Sequence, residues 1–239
     1  MDFRKIAVLA LVVAGILLIP GTLWSQADEP PFDWDEDSSP GRSLSVEIAM
    51  TMSQPPKGAV IISINSSGFE NSGPNLAFWE KRAGKYYKLN VGLGADGSVE
   101  MIPGTNSTML GGYIRGQAFD IALAEEGSTK HARAKVVPFP IEAEGSGDCK
   151  ATAEVQTESG LVWLVMLAGY QPGEAVKTTS KTKKETLTDE MNASEEGEII
   201  LPVLYPPGSK GKAEVRAVGS EGCSVAIAYA IGKSALKAR

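Results

Sequence analysis

Gly116-Gln-Ala-Phe-Asp-Ile-Ala-Leu-Ala-Glu-Glu-Gly127 recurs as Gly211-Lys-Ala-Glu-Val-Arg-Ala-Val-Gly-Ser-Glu-Gly222. Gly, Ala, Ala, Glu and Gly match at five positions, all displaced by 95 residues. Upstream, Gly68-Phe69 corresponds to Gly169-Tyr170, and Gly97 to Gly197. The displacement falls from 101 to 100 to 95 along the chain, as a few deletions in the second copy would produce. A period of this length means one domain present twice, each copy of roughly a hundred residues.

The stretches around these markers read as strands. Leu44 to Met52, Lys150 to Val155 and Ala118 to Leu123 place apolar residues at every second position, the period of a half-buried strand. Val60-Ile-Ile-Ser-Ile64 is β-branched and runs into the turn signal Asn65-Ser-Ser-Gly68. Asp96-Gly97 between apolar runs is a hairpin signal, because that pair tolerates the positive φ of a tight turn. Leu161 to Leu167 is continuously apolar, as a strand in the middle of a packed layer would be. Leu76 to Trp79, Tyr86 to Val91, Ser98 to Ile102, Arg133 to Pro138, Val176 to Thr182, Glu198 to Leu201 and Ser224 to Tyr229 complete the strands. Met101 to Ala118 is rich in Gly, Asn, Ser and Thr and reads as a surface excursion. Lys184 to Ala193, polar on all faces, reads as a loop or short strand. About seven short strands per hundred residues, with no capped helical pattern, predict a β-sandwich in each unit.

The units divide as residues 43–141 and 149–232, joined by the short polar linker 142–148 and followed by a basic tail, 233–239. Residues 28–42 are acidic and rich in Pro and Ser, the composition of a disordered linker. Residues 1–27 have the three parts of a secretory signal: Arg4-Lys5, the apolar run Ile6 to Ile19, and small residues at Ser25 and Ala27. Cleavage is expected after Ala27, leaving no stable membrane span, because the apolar run is short of the roughly 20 residues a bilayer needs. The expected location is therefore secreted or periplasmic.

Cys149 and Cys223 are the only two cysteines of the 239 residues. In an exported chain an even count suggests a disulfide. Two free thiols or a metal pair are the alternatives, and two cysteines with no further ligand make a poor zinc site. The net charge of −6 gives no electrostatic reason to bind nucleic acid.

Each unit resembles the immunoglobulin-like domains found in tandem in exported bacterial proteins. The resemblance rests on Gly169-Tyr-Gln-Pro-Gly173, Glu196-Gly-Glu-Ile-Ile-Leu-Pro202 and Lys212-Ala-Glu-Val-Arg-Ala217. It implies that the first segment is the loop after the second strand and the last a late strand. The antibody arrangement of Trp beside paired Cys is not reproduced, since Cys149 precedes Trp163. Gly97-Ser-Val-Glu-Met-Ile-Pro-Gly104 is also similar to the transthyretin-like modules of secreted proteins.

The chemistry on offer is thin. His131 is the single histidine, and no Gly-x-Ser-x-Gly elbow accompanies it. It reads as a polar turn residue. No phosphate loop or dinucleotide fingerprint occurs, and no cofactor is implied. Met50 and Met52 share a strand face and read as core rather than copper ligands. Of Phe78 and Trp79, and of Tyr86 and Tyr87, one each should point outward, because neighbours on a strand face opposite ways. Outward rings among Trp79, Tyr86 and Tyr87 would form a platform for a sugar or a peptide, unless the second domain or the acidic leader covers them. The expectation is a non-enzymatic exported protein that binds an envelope or extracellular protein, or a glycan. The alternative is a periplasmic chaperone-like assembly factor, which also has two immunoglobulin-like domains.

Overall fold

In the computed structural model, residues 25–27, 29–54, 58–69, 76–82, 85–101 and 104–237 are described. The signal-like apolar run lies outside them. The described chain is all β apart from one 3₁₀ turn at Ala235–Lys237. Strand β1 is Ser25–Ala27. The first sandwich has β2 (Ser43–Ser53), β3 (Gly58–Ser67), β4 (Leu76–Arg82), β5 (Lys85–Leu93), β6 (Val99–Glu100), β7 (Ser107–Tyr113), β8 (Phe119–Glu125) and β9 (His131–Val136). The second has β10 (Glu142–Glu144), β11 (Lys150–Val155), β12 (Val162–Ala168), β13 (Ala175–Lys181), β14 (Thr186–Asn192), β15 (Glu198–Leu204), β16 (Lys210–Gly219) and β17 (Ser224–Gly232).

The two halves share one topology. In the first, β2-β3-β7 opposes β5-β4-β8-β9; in the second, β11-β12-β15 opposes β14-β13-β16-β17. With strands lettered A to G, both are A-B-E against C′-C-F-G, an immunoglobulin-like Greek-key sandwich. The repeated glycines mark equivalent turns. Gly68 and Gly169 each follow strand B at positive φ, 79° and 97°. A Cβ there would strike the carbonyl just ahead of strand A, that of Gly41 or Asp148. Gly94 N donates to Ser98 O and Gly97 N to Gly94 O, at 2.8 and 3.0 Å; Ser194 N donates to Glu198 O and Gly197 N to Ser194 O at the same distances. The quoted repeat is strand F and the turn into G, with Gly127 and Gly222 both at positive φ. Gly169 to Gly173 does follow strand B, and Lys212 to Ala217 does lie in strand F, as the resemblance implied.

Each sandwich has its own core. Val60, Ile62, Ile64, Phe78, Phe119, Ile121 and Leu123 fill the first. Trp163, Val165, Leu167, Val215, Ile227 and Tyr229 fill the second, where Trp163 stacks on Tyr229 with ring centroids 4.5 Å apart. Cys149 and Cys223 form the disulfide, joining the residues just ahead of strands A and G at a Cα–Cα distance of 5.7 Å.

Several expectations are corrected. The excursion after Met101 contains β7, paired with β3 along its length. Residues 142–148 are not a free linker: β10 pairs with β11, and Ser146 N donates to Ser224 O at 2.8 Å. In the tail, Ala235 is buried. Lys184 to Ala193, by contrast, does hold the short strand that is one of its two readings: β14, an exposed edge strand whose polar composition suits its place. Met50 and Met52 are not core. Register shifts between Ile48 and Met50 and between Thr51 and Ser53 break the alternation of edge strand β2, leaving the two methionines 56% and 47% exposed. Leu161 to Leu167 is central in its sheet, yet only alternate residues are buried, and Met166 is open on the outer face.

The sandwiches meet at Gly116. Val155 N donates to Gly116 O at 2.8 Å, and a Cβ at Gly116 would lie 2.8 Å from Ala153 O and 3.0 Å from Cζ3 of Trp163. Gly116 also has φ +75°, whereas its repeat equivalent Gly211, at φ +112°, has nothing within 4 Å of a Cβ. Gly116→Val should therefore cost about 3 kcal/mol, strain plus overpacking. Gly211→Val should cost only the strain, about 1–2 kcal/mol. Urea melts of the two variants test this; equal losses would show that the contact at Gly116 is not tight.

Buried tyrosines give the fold an alkaline limit. Burial, then the charge of Glu80, holds Tyr113 well above its ordinary pKa of 10.0. Burial and then Glu174 push Tyr170 up to about 12. Burial and then the hydrogen bond with Tyr205 raise Tyr229. A folded-state pKa above the unfolded one means the native state holds its proton more tightly. The associated stability is fully present below pH 10 and declines as pH rises through the folded values. Tyrosinate absorbance at 295 nm should rise for these residues together with loss of the native fold, not before it.

Candidate functional site

The outer face of the β5-β4-β8-β9 sheet carries the aromatic residues singled out from the sequence. Register puts Trp79 opposite Lys88 and Ala122, and Lys81 opposite Tyr86 and Asp120. Trp79 and Tyr86 thus share the outer face while Phe78 is buried within. Tyr87 pairs with Glu80 and belongs to the other face, so it is no part of the platform.

That platform is covered. The leader, expected to be disordered, runs across the sheet from one edge to the other. Just ahead of the leader, at one edge, β1 pairs with β5, Ser25 to Ala27 against Lys88 to Tyr86. These three residues belong to the stretch read as a secretory signal, so cleavage after Ala27 would remove this pairing and leave the rest of the crossing. On the face, Phe32 and Trp34 form an apolar cluster with Trp79, Ala77, Ala122 and Ala124; Phe32, Trp34 and Trp79 are only 7%, 4% and 6% exposed. At the other edge, Ser39 N donates to His131 O (2.8 Å), His131 N to Ser39 Oγ (3.0 Å) and Arg133 N to Ser38 Oγ (2.9 Å). These bonds satisfy backbone groups of β9 that would otherwise form an open sheet edge. The physical reason for the correction is local. Two large aromatic rings bury enough apolar surface to offset the ordering of a short segment, whatever its average composition.

Electrostatics reinforce the seat. Trp34 lies 5.4 Å from Tyr86, centroid to centroid, and its Nε1 donates to Asp120 Oδ2 at 3.1 Å. Lys81 Nζ and the Arg133 guanidinium lie over the Trp34 ring at 5.8 and 5.6 Å, a cation–π arrangement. Lys81 pairs with Asp35 at 3.7 Å, and Arg133 Nη1 donates to Glu36 O at 3.2 Å. Burial, then the carboxylates of Glu29, Asp35, Asp33 and Asp120, raises the pKa of Tyr86. His131 is not a polar turn residue: it is buried in β9, and its ring stacks on Phe32 at 4.4 Å.

Beside the strap, a cavity of about 580 Å³ opens between the sandwiches. Trp34 and Asp35 of the leader, Lys81, Arg82 and Lys135 of the first sandwich and Glu154, Gln156 and Glu158 of the second wall it. Ion pairs bridge the sandwiches there, Lys135 to Glu154 at 2.6 Å and Lys85 to Glu158 at 3.5 Å. Glu154 is held further by Gln156 Nε2 at 2.9 Å, so its carboxylate is engaged in structure rather than poised as a base. Behind the wall sits a network invisible in the sequence. Arg82 Nη2 donates to the Tyr113 hydroxyl at 2.6 Å, that hydroxyl donates to Glu80 Oε1 at 2.8 Å, and Arg82 Nε donates to the same oxygen at 2.8 Å. Burial alone would lower the Arg82 pKa; Tyr113 and Glu80 outweigh it and raise it. Among the described residues no group of three or more His, Cys, Asp or Glu is placed to hold a metal ion.

A second surface is open. On the outer face of the A-B-E sheet of the second sandwich, Val162 pairs with Leu204, Leu164 with Pro202 and Met166 with Ile200. Ile200 is 57% and Leu204 71% exposed. In the first sandwich Ile61 pairs with Met50 on one side and Met109 on the other, and Met50 and Met109 are exposed.

No family model and no curated protein matches the chain. Among solved structures it is similar to a tetra-tandem repeat in the extending region of a large adhesion protein, with 15% identity and a TM-score of 0.26. That match covers 80% of this chain and 49% of the other, so the chain spans about half its length. It is also similar to a DUF3823 family protein from Parabacteroides merdae, with 11% identity and a TM-score of 0.21, over 82% of this chain and 100% of that one.

Proposed function

We propose that this chain is an exported, non-enzymatic binding or structural protein of the cell envelope or medium, and that it engages a protein partner through the outer face of its A-B-E sheets. The observation that supports this reading most is the row Val162–Leu204, Leu164–Pro202 and Met166–Ile200, six apolar side chains on one sheet face. Contiguous exposed apolar surface of this kind is a mark of interaction sites. In the first sandwich only the pair Ile61–Met109, with Met50 beside it, stands at the corresponding place, flanked by Ser63–Ser107 and Ala59–Gly111, so the full row belongs to the second sandwich. The disulfide fits an oxidising compartment. A glycan would be expected at an open aromatic platform with polar neighbours, and the aromatic platform of this chain is filled by its own leader.

The chaperone alternative needs an alternating hydrophobic edge strand to pair with a client. In the second sandwich, edge strand β14 is polar, and edge strand β15 carries Pro202, which has no N–H to offer an added strand. Both features weigh against it at these two edges; the alternating edge strand β17 is engaged instead beside Ser146, whose N donates to Ser224 O at 2.8 Å. The test is photo-crosslinking in the native envelope with a crosslinker at position 200. Capture of a defined partner, lost on Leu204→Asp while the melting temperature is kept, supports the reading. Crosslinking that Leu204→Asp leaves unchanged overturns it.

A further inference from the structure

The strap over the first sandwich is a segment held by side chains, and the same segment of another molecule presents the same groups. We propose that the strap exchanges between copies: the outer face of the β5-β4-β8-β9 sheet is a recognition groove for an acidic aromatic segment, and a second copy of this chain supplies Phe32 and Trp34 in trans. This inference does not depend on the partner surface of the A-B-E sheets.

Four observations carry it. The groove has discrete seats. Phe32 lies between Trp79 and His131, and Trp34 lies against Tyr86 beneath Lys81 and Arg133. The charges are complementary, because the segment brings Asp33, Asp35, Glu36 and Asp37 to a face carrying Lys81, Lys88 and Arg133. The cis fit is incomplete. Trp79 Nε1 and His131 Nε2 lie buried under the strap with no hydrogen-bond partner, a cost that works against permanent closure. Finally, the strap joins its own sandwich through one turn. Arg42 N donates to Ser39 O at 3.0 Å across Pro40-Gly41, with Gly41 at φ +77°. Straightening that turn, once β1 has unpaired from β5 and Ser38 and Ser39 have left β9, carries the segment away without disturbing β2. Exchange of an identical element through a hinge makes closed dimers at little cost, since the seats vacated in cis are filled again in trans.

A short tether gives the cis strap an effective concentration in the millimolar range, so trans occupancy grows as the protein approaches about 1 mM or is crowded on a surface. The experiment mixes equal amounts of ¹⁴N- and ¹⁵N-labelled full-length chain over a range up to about 1 mM. A zero-length carbodiimide then joins Lys81 to Asp35, and the isotopic composition of that crosslinked peptide pair is read by mass spectrometry. Mixed-isotope pairs rising with concentration toward half of the total are expected. Their loss in a Phe32→Ala, Trp34→Ala chain shows that they come from the seated segment rather than from collisions. Same-isotope pairs alone at every concentration overturn exchange. Mixed pairs that persist in the variant overturn the groove. Absence of the Lys81–Asp35 link in any form overturns the docked strap itself. The wild-type ratio decides the matter without relying on the variant to fold.

Discussion

Replacing Cys149 and Cys223 by alanine is expected to lower the stability of the second sandwich by about 4.5 kcal/mol. The two cysteines are 74 residues apart, so the bond closes a loop that takes in nearly the whole domain. Without it the unfolded chain regains the entropy of that loop. Lost packing adds to this, since Cys149 is buried in the core and Cys223 packs against it. Native domains have a total stability of only about 5–15 kcal/mol, so the variant should melt far below the wild type. The first sandwich has its own core and should keep its transition. Calorimetry of the oxidised and variant chains would show one peak moving and one staying. If both move together, the contact at Gly116 couples the sandwiches into one cooperative unit.

Trp34→Ala is expected to release the strap, at a cost of about 3 kcal/mol for a buried tryptophan. Trp34 fills the seat between Tyr86, Lys81 and Arg133 and holds a hydrogen bond to Asp120. Unlike a core substitution, this one should act locally, because the strap can lift while the two sheets beneath stay packed. The consequences are specific. Trp79 becomes open to fluorescence quenchers, the backbone between Asp37 and Ser43 becomes open to protease, and the edge of β9 loses Ser38 and Ser39. Phe78, on the opposite face of the same strand, should remain buried.

How far the sequence carries the fold can be seen at particular residues. The repeat was legible because glycines at positive φ are steric requirements: Gly68 and Gly169 each sit against a carbonyl that forbids a side chain. The disulfide was legible from count and position. Strand β7 was not, because Ser107-Thr-Met-Leu-Gly-Gly-Tyr113 has the composition of a loop and is made a strand by its pairing with β3. The exposure of Met50 and Met52 follows from bulges, which shift side chains to the other face without changing the residues. The aromatic platform was half legible. Period-two alternation put Trp79 and Tyr86 on one face, and covering by the acidic leader was one of the two readings that alternation left open. Deciding between them required a contact across nearly fifty residues. Composition averaged over 28–42 hid it, since the thirteen other positions, six of them acidic, outweigh two rings in any sum. The Glu80–Arg82–Tyr113 network left no signal, because Tyr113 is brought to Glu80 only when the two sheets close.

The leader closes the aromatic face of the first sandwich, and amide hydrogen exchange tests that closure most directly. The amides of His131 and Arg133 donate to the hydroxyls of Ser39 and Ser38. They face outward on an edge strand, so the strap is what shields them. Strong protection of both in the wild type, lost in Trp34→Ala while the amides of β4 and β8 stay protected, is the predicted result. Fast exchange of His131 and Arg133 in the wild type would contradict it.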